Sequence, residues 1–213
     1  MFYVQVLGQF IPDSESDLAC RWLNSIGSLE RYAENFANDI RLFDYAEKRS
    51  FEEFQGKLTN EEMMRNISSW LFIACRDGAM QIFHFGKILN TLNTRLSKCP
   101  TLASHINSKE LKLANSAFRS TFKDHEGVRH SVGHQGEVTL EPERNADNTA
   151  LMIDCLADRQ YMTSYEGKVL SYYISEGTVA ELEKAITRVK ATLTPVLEHV
   201  RSLQLGQKLE PKK

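Results

Sequence analysis

The sequence lacks the cysteine spacing that metal and redox motifs require. The four cysteines are widely dispersed and form no C-x-x-C pair: they are Cys20, Cys75, Cys99 and Cys155. Zinc frameworks use closely spaced ligand pairs, and disulfide frameworks are typical of short secreted chains. The pattern therefore predicts reduced thiols, and the two that lie in apolar stretches are expected to be buried.

Long hydrophobic runs are also absent. No apolar stretch approaches the roughly 20 residues that a transmembrane helix needs. The opening residues, MFYVQVLGQF, have no basic region of the kind that begins a signal peptide, and PDSESD follows soon after. The residues are 42% hydrophobic and 25% charged, which is a composition of folded chains. We therefore expect a soluble cytoplasmic protein with no membrane segment.

An excess of basic charge is missing as well. The formal net charge is −2, which excludes the broad positive field that binds nucleic acid through bulk electrostatics. A balanced surface still permits RNA binding if it carries a concentrated basic patch, or if a partner delivers the substrate. The chain has neither a P-loop nor a dinucleotide fingerprint, so no cofactor is expected.

Apolar residues recur at three- and four-residue spacing over most of the chain, which is typical of amphipathic helices. The first helix is expected to begin with Asp13 or Ser14 as its N-cap and to be interrupted near Gly27. The longest helix begins near Thr59 or Asn60. Its apolar stripe comprises Ile67, Trp70, Leu71, Ala74, Gly78, Ile82, Phe85, Leu89, Leu92 and Leu96.

In the second half of the chain, the spacing of apolar residues changes from helical to strand-like and back to helical. A third helix runs from Ser108 to about residue 134, strands follow near 150–156, 159–165 and 168–174, and Glu166-Gly167 is a hairpin signal. A last helix starts at Thr178 and should bend at Pro195. These patterns predict a mainly α fold, a bundle of about four to five main helices with a small antiparallel β-hairpin or meander near 150–174. One domain is expected over 1–205, followed by a polar tail at 206–213.

A polar stretch, VRHSVGHQGE at 128–137, lies at the end of the third helix. On one straight helix His130 and His134 are a turn apart on the same face, whereas Arg129 and His134 differ by about 140°. Arg129 and His134 therefore meet only through the length of the arginine, a distortion at Gly133, or a second copy of the helix. The last arrangement predicts a symmetric homodimer.

Arginine and histidine together suit a metal-free phosphodiester site. The guanidinium is a permanent forked cation for a phosphate, and an imidazole transfers protons near neutral pH. With RNA, the substrate's own 2′-hydroxyl is an available nucleophile. Asp77 and His84, seven residues apart on the long helix, are candidates for support, although an ordinary helix-to-helix salt bridge explains them equally well.

The segment RHSVGH resembles the R-x(4–6)-H signature of the HEPN superfamily (higher eukaryotes and prokaryotes nucleotide-binding domains), which consists of helical bundles. His130 matches the polar residue that often follows the arginine, and Asp77 resembles the polar support on the preceding long helix. The resemblance covers roughly residues 60 to 200. It implies either a metal-independent ribonuclease, with Arg129 and His134 supplied by two protomers, or a domain that keeps the fold for binding. Many relatives are toxins or defence proteins, which implies an antitoxin or other regulatory protein as a partner.

Two other interpretations of the motif remain open. His130-x3-His134 has helical metal-ligand spacing, with His125, His84, Asp77 or Glu137 as further ligands, but an unpaired H-x3-H is weak and Arg129 would repel a cation. Alternatively, the polar residues only solvate and cap a helix C-terminus, as in a non-catalytic interaction or nucleotide-binding and RNA-binding domain.

Overall fold

The structure is a computed structural model, and it describes residues 11–56, 61–133, 155–166 and 168–209. Helices account for most of these residues, and three short strands form one antiparallel sheet, so the predicted fold class is confirmed. In chain order the elements are α1 Asp13–Phe54, α2 Glu61–Leu96, α3 Pro100–Ala103, α4 Ser108–Thr121, α5 His125–Gly133, β1 Cys155–Ala157, β2 Gln160–Tyr165, β3 Lys168–Tyr173, α6 Glu176–Ala191 and α7 Thr194–Leu209.

Helix α1 is continuous, so the predicted interruption near Gly27 is wrong. Glycine in a helix interior costs about 1 kcal/mol relative to alanine. Burial of one large side chain contributes about 1.5–3 kcal/mol, and α1 buries Trp22, Leu29, Phe36 and others along one stripe. The stripe therefore outweighs the glycine, and the helix passes through it.

Helix α2 follows the predicted stripe closely. Its buried residues include Ile67, Ile82, Phe85, Leu89 and Leu92. The predicted caps Thr59 and Asn60 lie outside the described residues. In the stripe, Gly78 provides space, because a Cβ there would stand 2.9 Å from the Tyr172 hydroxyl and 3.0 Å from Phe36.

The predicted third helix is two helices, α4 and α5. The chain turns after Phe122, which is buried, and the amide of His125 donates to the carbonyl of Phe122. The polar pair Lys123-Asp124 occupies the turn. As a result Arg129 and His130 stand on a separate short helix, described over His125–Gly133.

The C-terminal helix also divides, into α6 and α7. The break falls at residues 192–193, and Pro195 lies in the first turn of α7, where its missing N–H is tolerated. The predicted tail at 206–213 begins inside α7, and residues 210–213 lie outside the described residues. The domain boundary at residue 205 stays a prediction.

The sheet has the order β1-β2-β3, with both neighbouring pairs antiparallel. Asp158 and Arg159 join β1 to β2 with φ angles of 46° and 64°, as in a two-residue hairpin whose central residues both have positive φ. Tyr165 pairs with Lys168, which confirms the predicted hairpin there. Gly167 and residues 150–154 lie outside the described residues.

The described residues form two compact units. The first takes residues from 11–31, 86–119 and 183–209, and the second takes residues from 32–85 and 120–182. In the first, Trp22 Nε1 donates to the Leu92 carbonyl at 3.0 Å. In the second, the buried Tyr172 packs against Phe36 and donates its hydroxyl hydrogen to the Cys75 carbonyl.

Two further expectations can be compared with the described residues. The four cysteines all lie in the described ranges and none forms a disulfide there; Cys75 and Cys99 are buried. None of the helices in the described ranges combines the length and the apolar composition that crossing a bilayer requires.

Candidate functional site

The motif helix α5 is fixed against the sheet within the second unit. Ser131 is buried, forms a hydrogen bond with the Thr163 hydroxyl and donates to the Ser164 carbonyl at 3.1 Å. A Cβ on Gly127 would stand 2.6 Å from Leu170 on β3, so this glycine lets the helix approach the sheet closely. Contacts at Gly127 and Ser131 therefore hold α5 against the sheet.

Arg129 is half-buried on α5. Its Cζ lies 5.2 Å from the ring centroid of Phe83, and Nη1 donates to His130 Nδ1 at 3.3 Å. The Nε atom is buried and has no hydrogen-bond partner in the described part of the chain. Cζ also lies 4.0 Å from where a Cβ on Gly133 would be, so the side chain runs toward the C-terminal end of α5. A permanent cation with an unused donor suits an anionic ligand.

His130 is oriented by two neighbours. Its ring stacks on Tyr165, with centroids 5.5 Å apart and an interplanar angle of 18°. Because a guanidinium can only donate, this contact is a hydrogen bond in the tautomer of His130 in which Nδ1 accepts and Nε2 carries the proton. The two adjacent polar residues of the motif therefore act as one unit.

His84 joins this group through an aromatic residue. Its ring stacks on Tyr32 at 5.5 Å and meets Phe83 edge to face at 5.4 Å. Phe83 thus contacts both His84 and Arg129. Sequence reasoning missed Phe83, although its position beside His84 is the signal that could have found it. The remaining motif residue, His134, lies outside the described residues.

Asp77 has a different environment from the one predicted. Gln81 Nε2 donates to its carboxylate at 3.1 Å, and Gln81 Oε1 accepts from Asn35 at 3.3 Å. Asp39 faces it from α1. Within the part of the chain that the structure describes, Asp77 belongs to this polar cluster and makes no contact with Arg129.

Asp39 is another residue with an unusual environment that the sequence did not identify. The residue is 7% exposed, and within the described ranges its Oδ2 has no hydrogen-bond partner. Burial, and after it the repulsion from Asp77 and a hydrogen bond with Asp77, together raise the pKa of this carboxyl to about 8. Its place between Phe36 and Phe43 on the apolar stripe of α1 was the available signal.

A cavity of about 410 Å³ lies in the second unit next to the motif helix. Its walls are mainly apolar, and its size falls within the range of small-molecule sites. Ile82, Phe122, His125, Val128, Tyr172 and Thr178 are among the lining residues. Sequence reasoning had no signal for it, because these residues come from separate segments.

The metal interpretation meets an electrostatic obstacle. Arg129 Nη1 stands 3.3 Å from His130 Nδ1, so a metal ion at that nitrogen would face a permanent cation. Among the residues that the structure describes, no group of three or more His, Cys, Asp or Glu side chains is placed to hold a metal ion. His134 and Glu137, two of the suggested ligands, fall outside them.

Comparison with known proteins adds no assignment, because no family model, curated protein or solved structure matches this chain.

Proposed function

We propose that this protein is a HEPN-like, metal-independent endoribonuclease whose composite site joins Arg129 of one protomer to His134 of another in a homodimer. The R-x4-H spacing and the half-buried guanidinium of Arg129 support the proposal. The observation that carries it is the buried Nε of Arg129, which has no hydrogen-bond partner among the described residues. A phosphate oxygen would supply the missing acceptor.

The proposed reaction requires a nucleophile, a group that transfers protons and a group that stabilises negative charge. The 2′-hydroxyl of the RNA attacks the adjacent phosphorus, and the P–O5′ bond breaks, leaving a 2′,3′-cyclic phosphate and a 5′-hydroxyl. His134 accepts the 2′-hydroxyl proton while water protonates the leaving 5′-oxygen, or His134 protonates the leaving oxygen while water takes the 2′-hydroxyl proton. Arg129 binds the non-bridging oxygens and stabilises the charge that develops on them.

The angle expected between the two motif residues supports the proposed dimer. About 140° separates Arg129 from His134 on a straight helix, and a second copy of the segment removes that difficulty. The course of the Arg129 side chain toward Gly133 supplies a competing route, because a long side chain could reach the end of its own helix. Mixing of variants distinguishes the two arrangements.

His130 and His84 are proposed as positioning residues. His130 accepts from the guanidinium, and His84 supports the Phe83 ring over which the guanidinium lies. The support expected of Asp77 would act only indirectly, through the cluster it forms with Asp39 and Gln81.

The direct test is RNA cleavage by purified protein in EDTA. Wild type is expected to cut, whereas Arg129→Ala and His134→Ala are expected to lose activity without a lower melting temperature. Arg119→Ala is the matched control, because Arg119 is exposed and donates to Asn90. Cleavage that requires added metal, or equal losses in the control, would contradict the proposal.

Two results would favour the alternatives instead. RNA binding without cleavage in any buffer would indicate a non-catalytic binding domain. Stoichiometric zinc that is lost in a His130→Ala/His134→Ala variant would indicate a metal-binding bundle.

A toxin or defence role predicts growth arrest on expression, relieved by Arg129→Ala and by a co-expressed regulatory protein.

A further inference from the structure

A basic groove lies in the first unit, between the N-terminal part of α1 and the C-terminal part of α2. Its volume is about 510 Å³, and its lining is Leu18, Arg21, Asn24, Ser25, Ser28, Ile88, Arg95 and Lys98. From residue 18 to 28, and from 88 to 98, the groove follows each chain segment for about 15 Å at the helical rise. We refer to these residues as the α1–α2 groove.

The charge of the α1–α2 groove is one-sided. Three of its lining residues, Arg21, Arg95 and Lys98, are cations, and none is a carboxylate. The whole chain carries a formal charge of −2, so this concentration departs from the average surface. It is the concentrated basic patch that nucleic-acid binding by a balanced protein requires.

The cations differ in how they are held. Arg95 Nη1 donates to Ser25 Oγ, and Ser25 is 3% exposed, so one guanidinium is tethered to a buried hydroxyl. Arg21 forms an ion pair with Asp17, but the two side chains are 71% and 79% exposed. Such exposed pairs contribute little, so a phosphate can replace the carboxylate.

The neutral lining completes the chemistry of the groove. Asn24 and Ser28 supply amide and hydroxyl groups, which commonly contact phosphate and sugar oxygens. The cations are exposed rather than enclosed, and the groove is longer than one phosphate group. These properties suit a chain of phosphates that lies along a surface better than a single enclosed phosphate ion.

We propose that the α1–α2 groove binds the phosphodiester backbone of single-stranded nucleic acid through Arg21, Arg95 and Lys98. The proposal goes beyond cleavage and does not rest on Arg129. It adds a binding surface that holds the strand independently of the bond that is cut.

The test is fluorescence anisotropy with a labelled 2′-O-methyl oligonucleotide, which cannot supply a 2′-hydroxyl, over a range of salt concentrations. Each phosphate contact to a single strand contributes about 0.7 to the slope of log K against log salt. Arg21→Ala/Arg95→Ala/Lys98→Ala is therefore expected to reduce the slope by about 2 and weaken binding at least about tenfold.

The matched control is Lys109→Ala/Lys112→Ala/Arg188→Ala, which removes the same charge from exposed positions of the first unit. It should change Kd less than about twofold if local contacts dominate over net charge. Because Arg95 contacts a buried serine, Arg21→Glu/Lys98→Glu provides a second variant that leaves that contact intact. Melting temperatures report whether each variant is folded.

Four outcomes would overturn the proposal. They are equal weakening in the control, undiminished binding in both groove variants, full competition by millimolar inorganic phosphate, and binding to phosphatidylglycerol vesicles in preference to the oligonucleotide. Arg129→Ala should lose RNA cleavage, and in that background the groove substitutions should still reduce the salt slope of oligonucleotide binding by about 2. Failure of cleavage alone would therefore count against the proposed function and leave the groove proposal supported.

Discussion

At the scale of single residues, the aromatic ring of Phe83 connects the candidate groups. It lies under the Arg129 guanidinium and against the edge of His84. A cation over an aromatic face gains about 0.5–1 kcal/mol at exposed sites and more when desolvated. Phe83 therefore sets where the guanidinium stands without taking part in proton transfer.

Phe83→Leu is expected to lower the rate of RNA cleavage by about two- to fivefold, the equivalent of 0.5–1 kcal/mol. The ring face is lost while an apolar side chain remains. Initial rates and melting temperatures measure the change. Phe51→Leu is the control, because Phe51 is 60% exposed on α1. An unchanged rate in Phe83→Leu would show that the ring does not position Arg129.

Asp39 predicts a pH dependence of stability. Its folded pKa of about 8 lies above the ordinary value of 3.8, so the native protein binds this proton more tightly than the unfolded chain. Asp39 contributes fully to the free energy of unfolding below pH 4, and this contribution is lost as the pH rises through 8. Asp39→Asn removes the titration. The variant should therefore gain melting temperature relative to wild type between pH 5 and pH 9.

Thermal melts across that pH range test this account. Asp17→Asn is the control, since Asp17 is on the same helix and its side chain is 79% exposed. Parallel melting curves for Asp39→Asn and wild type at every pH would contradict the raised pKa.

At the scale of elements, the two glycines of the motif helix have different roles. A Cβ on Gly127 would meet Leu170 at 2.6 Å, whereas one on Gly133 would make only an ordinary contact with Arg129 at 4.0 Å. Gly127 therefore serves close packing on the sheet, and Gly133 leaves room beside the arginine.

Gly127→Ala is expected to destabilise the protein, because overpacking costs about 1–3 kcal/mol and exceeds the helix propensity gained. Gly133→Ala is expected to be neutral or to stabilise by up to about 1 kcal/mol, since alanine favours the helix. Urea unfolding of the two variants measures the contrast. The reverse order of stabilities would show that α5 is not held against β3 by Leu170.

Periodicity predicted the existence of the helices better than their ends. The stripe of α2 was readable because its apolar residues keep one face through Leu96. The turn after Phe122 was not readable, because Lys123-Asp124 lacks glycine and proline and the break depends on tertiary packing. The helix break predicted at Gly27 was wrong because the burial of apolar side chains in α1 outweighs the low helix propensity of one glycine.

The candidate site was predictable only in part. Local spacing identified Arg129 and His130 as neighbours on a helix, and the structure places them in contact. The partners Phe83, Tyr165 and Asp39 come from distant segments, so no local pattern could pair them with the motif. The support predicted for Asp77 depended on such a long-range contact, and its position beside Gln81 and Asp39 was not visible in the spacing.

At the scale of the whole molecule, the proposed site requires two chains. In the proposed symmetric homodimer, each protomer would contribute Arg129 to one site and His134 to the other. Loss of either residue then inactivates both sites of a homodimer. A dimer that pairs one Arg129→Ala chain with one His134→Ala chain keeps one intact site of its two.

The most direct measurement is RNA cleavage in EDTA by an equimolar mixture of the Arg129→Ala and His134→Ala variants after subunit exchange. Free exchange makes half of the dimers mixed, and each mixed dimer has one intact site, so the expected activity is about a quarter of wild type. Each variant alone should be inactive. A mixture as inactive as its components, although mixed dimers are present, would contradict a site shared between two protomers.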